Sequence, residues 1–363
     1  MVVDDSAVIR GLTTRILEDD KSIQVVASVG NGQLAVTNLS RYDVDVIVLD
    51  IEMPVMDGLT ALPKLMEIDP TVKIVMSSTL TSRNAEISIR ALEAGAADYI
   101  PKPTSTSDIS GGGGFRRELH DKVKNLGIAR RQQTGGGGGG PERLKGSAKR
   151  ATAPKPAAPS APISLRKPGL IKPKVLAIGS STGGPQALFE FLKHLPPSIN
   201  VPVVLTQHMP PTFTAILADH ITRMTEWTCS EAKEGDVLRA GHIFLAPGDF
   251  HMLIQNKDGK HMITVNQGPQ ENFCRPAVDP MLRSLVEVFT GNVFTVILTG
   301  MGADGLKGAQ AVVAAGGTIV AQDEKSSVVW GMPGAVATAG ICSAVLPLKE
   351  LAENVSKTFG AGV

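Results

Sequence analysis

Short apolar runs alternate with longer stretches of helical periodicity over the first hundred residues. Val2–Val3, Ile23–Ser28, Val44–Leu49, Lys73–Ser77 and Ala97–Ile100 read as buried strands. Between them, Val8–Glu18, Gln33–Leu39, Gly58–Ile68 and Arg83–Ala94 carry the spacing of amphipathic helices, and Phe115–Arg131 adds another. A second alternation starts at Lys174. Its strands are predicted at Val175–Ile178, Val201–Thr206, Val293–Leu298 and Thr318–Ala321. Its helices are predicted at Pro185–Leu195, Thr212–Met224, Asp279–Phe289, Gly305–Ala315 and Leu348–Phe359. Ile243–Leu245, His251–Gln255 and His261–Val265 read as antiparallel strands, with a hairpin turn at Lys257-Asp258-Gly259-Lys260. Strands regularly separated by helices imply two parallel sheets, each covered on both faces. No internal repeat is evident.

Between the two alternations the composition breaks. Residues 131–173 hold seven prolines, the run Gly135–Gly140, and nine Lys/Arg against the single acid Glu142. Such a stretch cannot bury enough apolar surface to fold alone, and it reads as a basic flexible linker. The alternative is a docking segment for an acidic or lipid surface. The plan is therefore a domain over 1–130, a linker over 131–173 and a domain over 174–363. The whole chain of 363 residues has a formal net charge of +1. Nothing global points to nucleic acid. Cys229, Cys274 and Cys342 are far apart with no C-x-x-C, which favours reduced thiols over zinc or disulfides. There is no apolar run of spanning length and no signal peptide. A cytoplasmic protein without direct membrane insertion is expected.

In the first domain, polar groups gather where strands end. Asp4-Asp5 follows the first strand, Asp50 ends the third, Ser77 ends the fourth and Lys102-Pro103 follows the fifth. In a doubly wound sheet these positions share the carboxyl edge, where ligands bind. Three converging carboxylates repel one another, and a hard divalent cation such as Mg²⁺ relieves this. A lysine and a hydroxyl alongside suit a phosphoryl group, with Asp50 as the nucleophile. On these residues, 1 to about 130 resembles a two-component receiver domain with a flavodoxin-like fold. The resemblance implies phosphorylation at Asp50, Mg²⁺ on Asp4, Asp5 and Asp50, phosphate sensing by Ser77 and Lys102, and a switch aromatic at Tyr99. The family has a fuller first strand than the three residues ahead of Asp4 provide.

In the second domain, Ile178-Gly179-Ser180-Ser181-Thr182-Gly183-Gly184-Pro185 follows an apolar strand and opens a helix. Gly179 to Gly183 fits G-x-S-x-G, a turn that lifts a serine out of the backbone beside a helix N-terminus. Ser181 needs a base, and His208 in Thr206-Gln207-His208-Met209-Pro210 ends the next strand. Asp304, in Leu298-Thr299-Gly300-Met301-Gly302-Ala303-Asp304-Gly305, again follows a strand and can orient the imidazole. The order Ser, His, Asp matches none of the familiar serine-hydrolase orders, but triads are defined by geometry. A rival reading exists, because Gly300 to Gly305 also fits G-x-G-x-x-G, with Asp323 where a ribose-binding acid would sit. That would make a nucleotide-binding domain. Against it, Asp304 puts a carboxylate inside the loop that must cradle a pyrophosphate.

These stretches, with Arg275-Pro276-Ala277-Val278-Asp279 and Trp330-Gly331-Met332-Pro333, resemble the catalytic domain of the chemotaxis protein-glutamate methylesterases, the CheB family. The expected fold is a doubly wound, mostly parallel α/β esterase domain with a small antiparallel hairpin. The resemblance implies Ser181 as nucleophile, His208 as base, Asp304 as its partner, and Thr182 and the Met301 backbone at the oxyanion. Ala277 departs from the family, where a serine is expected. The implied reaction is hydrolysis of glutamate methyl esters on methyl-accepting chemoreceptors, with related glutamine deamidation. A chemotaxis histidine kinase is the implied phosphodonor, with Mg²⁺ in the receiver and no cofactor in the esterase domain. A non-catalytic, phosphorylation-dependent binding module is the remaining alternative.

Overall fold

The computed structural model describes residues 1–103, 114–135 and 163–360. The chain divides into two units, Met1–Pro159 and Ser160–Val363. The central part of the expected linker, residues 136–162, lies outside the described residues, as do 104–113 and 361–363.

The first unit runs β1 (Val2–Val3), α1 (Ala7–Glu18), β2 (Ser28–Val29), α2 (Gly32–Leu39), β3 (Val46–Asp50), α3 (Gly58–Ile68), β4 (Lys73–Ser78), α4 (Ser82–Glu93), β5 (Asp98–Pro101) and α5 (Gly114–Gln133). The first four helices start where a polar side chain caps them. Ser6, Asn31, Asp57 and Thr81 accept from the backbone N–H of Ile9, Leu34, Thr60 and Asn84. The sheet is parallel, in the order β2-β1-β3-β4-β5, the flavodoxin-like order. The strand expected over Ile23–Ser28 shrinks to two residues. Its neighbour β1 offers only Val2 and Val3, which pair with Ser28 and Val29. Arg130 anchors α5 to the sheet, reaching Asp45 at 2.7 Å and Asp69 at 3.0 Å.

The second unit has a seven-stranded parallel sheet in the order β14-β13-β12-β6-β7-β9-β8. Its strands are β6 (Val175–Ser180), β7 (Val203–Gln207), β8 (Thr228–Glu231), β9 (His242–Leu245), β12 (Val293–Ile297), β13 (Thr318–Gln322) and β14 (Ala344–Leu346). Its helices are α6 (Gly184–His194), α7 (Phe213–Met224), α8 (Val278–Phe289), α9 (Leu306–Ala314), α10 (Met332–Thr338) and α11 (Leu348–Phe359). The hairpin β10 (His251–Lys257) and β11 (Lys260–Asn266) stands apart, with Asp258 and Gly259 both at positive φ in its turn. All of β6 is buried, which explains its apolar run without alternation. On α8, Val278, Met281, Leu282 and Leu285 form one apolar stripe, each fully buried and worth roughly 2 kcal/mol.

One expectation is corrected here. Ile243–Leu245 is a parallel strand of the main sheet, not part of an antiparallel set. The chain between β8 and β9 runs along the hairpin, with Gly235 N donating to Ile263 O and Leu238 N to His261 O. It thereby returns to the same end of the sheet. The short strands β8 and β14 and the helix α10 had no periodic signal. The last residues of the expected linker carry bonds to the second unit. Arg166 N donates to Cys342 O, Gly169 N to Thr318 Oγ1, and Asn292 Nδ2 to Lys172 O, so residues 163–173 are tied to the second unit.

The strand order reverses between β6 and β12, so the crevice at their carboxyl ends is the topological switch point of the sheet. Gly183 makes the turn there. Its φ is +74°, and a Cβ would fall 2.5 Å from Val328 Cβ. Gly183→Ala is expected to destabilise the protein by about 1–3 kcal/mol, read as a lowered thermal midpoint. An unchanged midpoint would show that the turn relaxes without cost.

Candidate active site

Three chain segments meet at the switch point. Ser180 and Gln207 are register partners on β6 and β7, so Ser181 and His208 are the next residues on adjacent strands. Gln207 joins them. Ser180 Oγ donates to Gln207 Oε1 at 2.7 Å, and Gln207 Nε2 donates to the carbonyls of Ser181 and His208. From β12, Thr299 O accepts from Ser181 N, and Thr299 Oγ1 donates to Thr182 O. Gly300 lies so close to Ser181 that a Cβ would sit 2.9 Å from the serine Cβ. Met301 follows Gly300 in the chain, and Thr182, next after Ser181, is buried.

His208 and Asp304 form a close, buried polar contact. Nε2–H of His208 donates to Asp304 Oδ2 at 2.7 Å, and Asp304 is 1% exposed. The same carboxylate accepts from Val278 N at 2.6 Å, Asp279 N at 3.2 Å, Asn272 Nδ2 at 2.8 Å and Gly305 N at 2.9 Å. Burial opposes its charge. The bonds from His208 and from the backbone of Val278 and Asp279 outweigh burial and hold the carboxyl below its usual range. For His208, burial again opposes the charge, but Cys274 and Asp304 outweigh it and raise its proton affinity. The other ring nitrogen, Nδ1, faces Cys274 Sγ at 3.3 Å. Among the described residues no hydrogen bond joins Ser181 to His208. The structure thus brings the sequence-selected serine and histidine onto adjacent strand ends, and couples the histidine to the aspartate.

Asp304 also caps α8, whose first N–H groups it accepts. In return Asp279, on α8, accepts from Gly308 N on α9 at 2.6 Å. This exchange explains why Ala277 is tolerated where a serine is expected. The helix cap comes from Asp304 across the crevice, and Ala277 itself contributes no side-chain bond. It also disposes of the nucleotide reading. At that loop and the helix start behind it, Gly305 N is held by Asp304 and Gly308 N by Asp279, and Asp323 caps Ser326 N rather than standing free for a ribose.

Sequence reasoning missed Gln207, Asn272 and Cys274. Gln207 stands beside His208 in a quoted run, but a glutamine ending a buried strand gives no warning of its bonds. Asn272 and Cys274 sit on a turn with no periodicity, and Cys274 is 66 residues from His208.

In the first unit the carboxyl edge of the sheet collects the polar groups selected from sequence. Lys102 Nζ lies 2.8 Å from both Asp4 Oδ2 and Asp50 Oδ1. One oxygen from each of Asp4, Asp5 and Asp50 falls within 4.8 Å of the others, a grouping suited to a metal ion. Among the described residues Asp50 Oδ2 is buried without a hydrogen-bond partner. Burial pushes the Asp50 carboxyl up to about 6, with Lys102 opposing and Asp4 adding to the rise. Ser77 pairs with Asp50 across β3 and β4. Tyr99 is buried, and Lys122 Nζ donates to its carbonyl at 2.6 Å.

A receiver-type sheet carrying an acidic cluster, followed by an α/β unit with a serine turn and a His-Asp pair, defines a response regulator with a hydrolase-type output domain. Residues 1–111 match the response regulator receiver domain, and residues 176–355 match CheB methylesterase. A protein-glutamate methylesterase/protein-glutamine glutaminase of Paramagnetospirillum magneticum is 56% identical over 361 residues, covering 98% of this chain and 95% of that one. One from Azospirillum brasilense is 59% identical over 368 residues, covering 98% and 91%. The CheB methylesterase catalytic domain of Thermotoga maritima is 39% identical with a TM-score of 0.50, covering 53% of this chain and 100% of that domain. The chain belongs to the CheB methylesterase family.

Asn272 Nδ2 reaches both Asp304 and, at 3.1 Å, Asp279 Oδ2, standing between two buried carboxylates. Burial and the nearby Asp304 raise the Asp279 carboxyl, so repulsion in the pair falls once Asp279 is protonated. Asn272→Ala should therefore destabilise the fold by about 1–2 kcal/mol at neutral pH. The deficit should shrink as the pH falls and Asp279 gains its proton. Urea unfolding of both proteins across that range checks this, and a deficit independent of pH would refute it.

Proposed function

We propose that the chain is a phosphorylation-regulated serine esterase that removes methyl groups from glutamate side chains of methyl-accepting chemoreceptors. The observation that carries the reading is the buried His208–Asp304 pair beside the Ser181 turn. Asp304 holds the proton on Nε2, which leaves Nδ1 as the ring's base. Ser181 attacks the ester carbonyl while Nδ1 takes its proton, and the same proton then leaves with methanol. Water cleaves the glutamyl-serine ester by the reverse roles. Thr182 and the backbone of Met301 serve the developing oxyanion. A receptor glutamine is deamidated by the same steps with ammonia leaving. The names of the relatives, which pair methylesterase with glutaminase, support both activities.

In the receiver, Asp50 accepts a phosphoryl group from a chemotaxis histidine kinase. Asp4, Asp5 and Asp50 are the residues that would hold Mg²⁺, and the unpartnered Asp50 Oδ2 fits such a ligand. When bound, the ion supplies charge neutralisation for the phosphoryl oxygens. Ser77 and Lys102 contact the phosphate, and Lys102 must leave Asp4 or Asp50 to do so. Tyr99 registers the change. The linker between the domains lets this switch bias access to the esterase site. No described helix is long and apolar enough to cross a membrane. We read the enzyme as acting in the cytoplasm on receptor helices.

Methanol release from methylated receptor membranes tests the chemistry. Ser181→Ala should abolish it in a folded protein, and Asp304→Asn should slow it by up to about 10⁴-fold. Full activity in a His208 variant would sink the assignment. Phosphodonor should stimulate release, and Asp50→Asn should remove that stimulation while leaving the basal rate. Stimulation that survives Asp50→Asn would place the phosphoryl group elsewhere.

A further inference from the structure

One nucleophilic side chain at the site has no part in the mechanism above. Cys274 is half-buried, and its Sγ lies 3.3 Å from His208 Nδ1. The other ring nitrogen is committed to Asp304 at 2.7 Å. If the thiol is neutral, its S–H donates to the Nδ1 lone pair. If the proton has moved, the thiolate accepts from Nδ1–H. In both forms the lone pair that Ser181 needs is occupied.

The contact is built rather than incidental. Glu271 and Cys274 exchange two backbone hydrogen bonds, closing a tight turn. Its central residues, Asn272 and Phe273, have φ of 51° and 63°, a region that non-glycine residues enter only when held. Three anchors hold the turn. Asn272 donates to Asp304 and Asp279, Glu271 pairs with Arg283 at 2.5 Å, and the adjoining Arg275 pairs with Asp249 at 2.6 Å. Of the three cysteines, Cys229 and Cys342 are buried in apolar surroundings that raise their thiols, leaving Cys274 as the one beside a base.

We propose that Cys274 is a positioning residue for the catalytic base: it holds the His208 ring with Nδ1 on its sulfur in the resting enzyme. Exchange of that contact for Ser181 Oγ then arms the site. The inference rests on His208 being the base. It adds a cost to each turnover that a substrate must overcome, and it makes the proton on Nδ1 a property of the pair.

Cys274 and Asp304 act on the ring itself, and the titratable groups packed around that pair come from three elements. They are Asp304 after β12, Cys274 and Glu271 on the turn, and Asp279 and Arg283 on α8. Among the described residues only Cys274 faces Nδ1. Removing it takes away one of the influences that raise the proton affinity of His208, so the ring should titrate at lower pH.

The test uses the full chain with Cys274→Ala and, as a near-isosteric second variant that preserves packing, Cys274→Ser. Two readouts are taken: the titration of the His208 ring by ¹⁵N NMR, and kcat and KM for methanol release as functions of pH. In Cys274→Ala, both the ring titration and the acid limb of kcat should move down by about one pH unit, with KM unchanged. Cys274→Ser should move both in the same direction by less. A ring titration unchanged in both variants overturns the inference, as does a ring that moves while the kcat limb stays. The NMR readout requires no turnover. Failure of the base assignment, shown by an active His208 variant, is therefore distinguishable from failure of the Cys274 contact.

Discussion

The second domain depends on how one buried carboxylate is satisfied. Asp304 sits at the carboxyl end of the central sheet with 1% of its surface exposed, where an uncompensated charge would cost several kcal/mol. It accepts from an imidazole, an asparagine amide and three backbone N–H groups. Those bonds join β12, α8 and the loop after β7, so the group that orients His208 also fixes the helix against the sheet. Orientation of the base and integrity of the crevice are therefore one constraint. The reciprocal bond from Gly308 N to Asp279 closes the arrangement from the other side.

The receiver solves the same electrostatic problem differently. Asp50 is also buried at a parallel sheet's carboxyl edge, but its neighbours are two further aspartates and one lysine. Donors hold Asp304 ionised, whereas burial pushes Asp50 up to about 6, and one of its oxygens has no partner among the described residues. A fully satisfied carboxylate suits a fixed role in orienting a base. An under-satisfied one suits a group that must accept a cation and a phosphoryl group. The contrast lies in the donors each loop supplies, since both aspartates follow similar apolar strands.

The linear pattern carried much of this. Val175–Ile178 is a short apolar run and Val293–Leu298 is interrupted only by Thr295; bounded by turn residues, such short runs read as strands buried on both faces. Once such strands are parallel, Ser181, His208 and Asp304 must lie at one edge. The same logic placed Asp4, Asp50, Ser77 and Lys102. Local patterning fails where an element is short or polar. Thr228–Glu231 has no alternation because it is an edge strand, and Ile243–Leu245 could not reveal its direction because direction depends on the path of the connecting loop.

What the sequence determined by itself was therefore the period of each element, the two-domain plan and the residue types at the strand ends, because side-chain burial repeats along the chain. What only the tertiary structure decided was which of those residues touch. Gln207 clamping Ser181 to His208, Asn272 between two carboxylates, and Cys274 against Nδ1 are contacts between segments remote in sequence. They are set by sheet order and by a turn held at positive φ, and neither leaves a periodic trace in the order of amino acids.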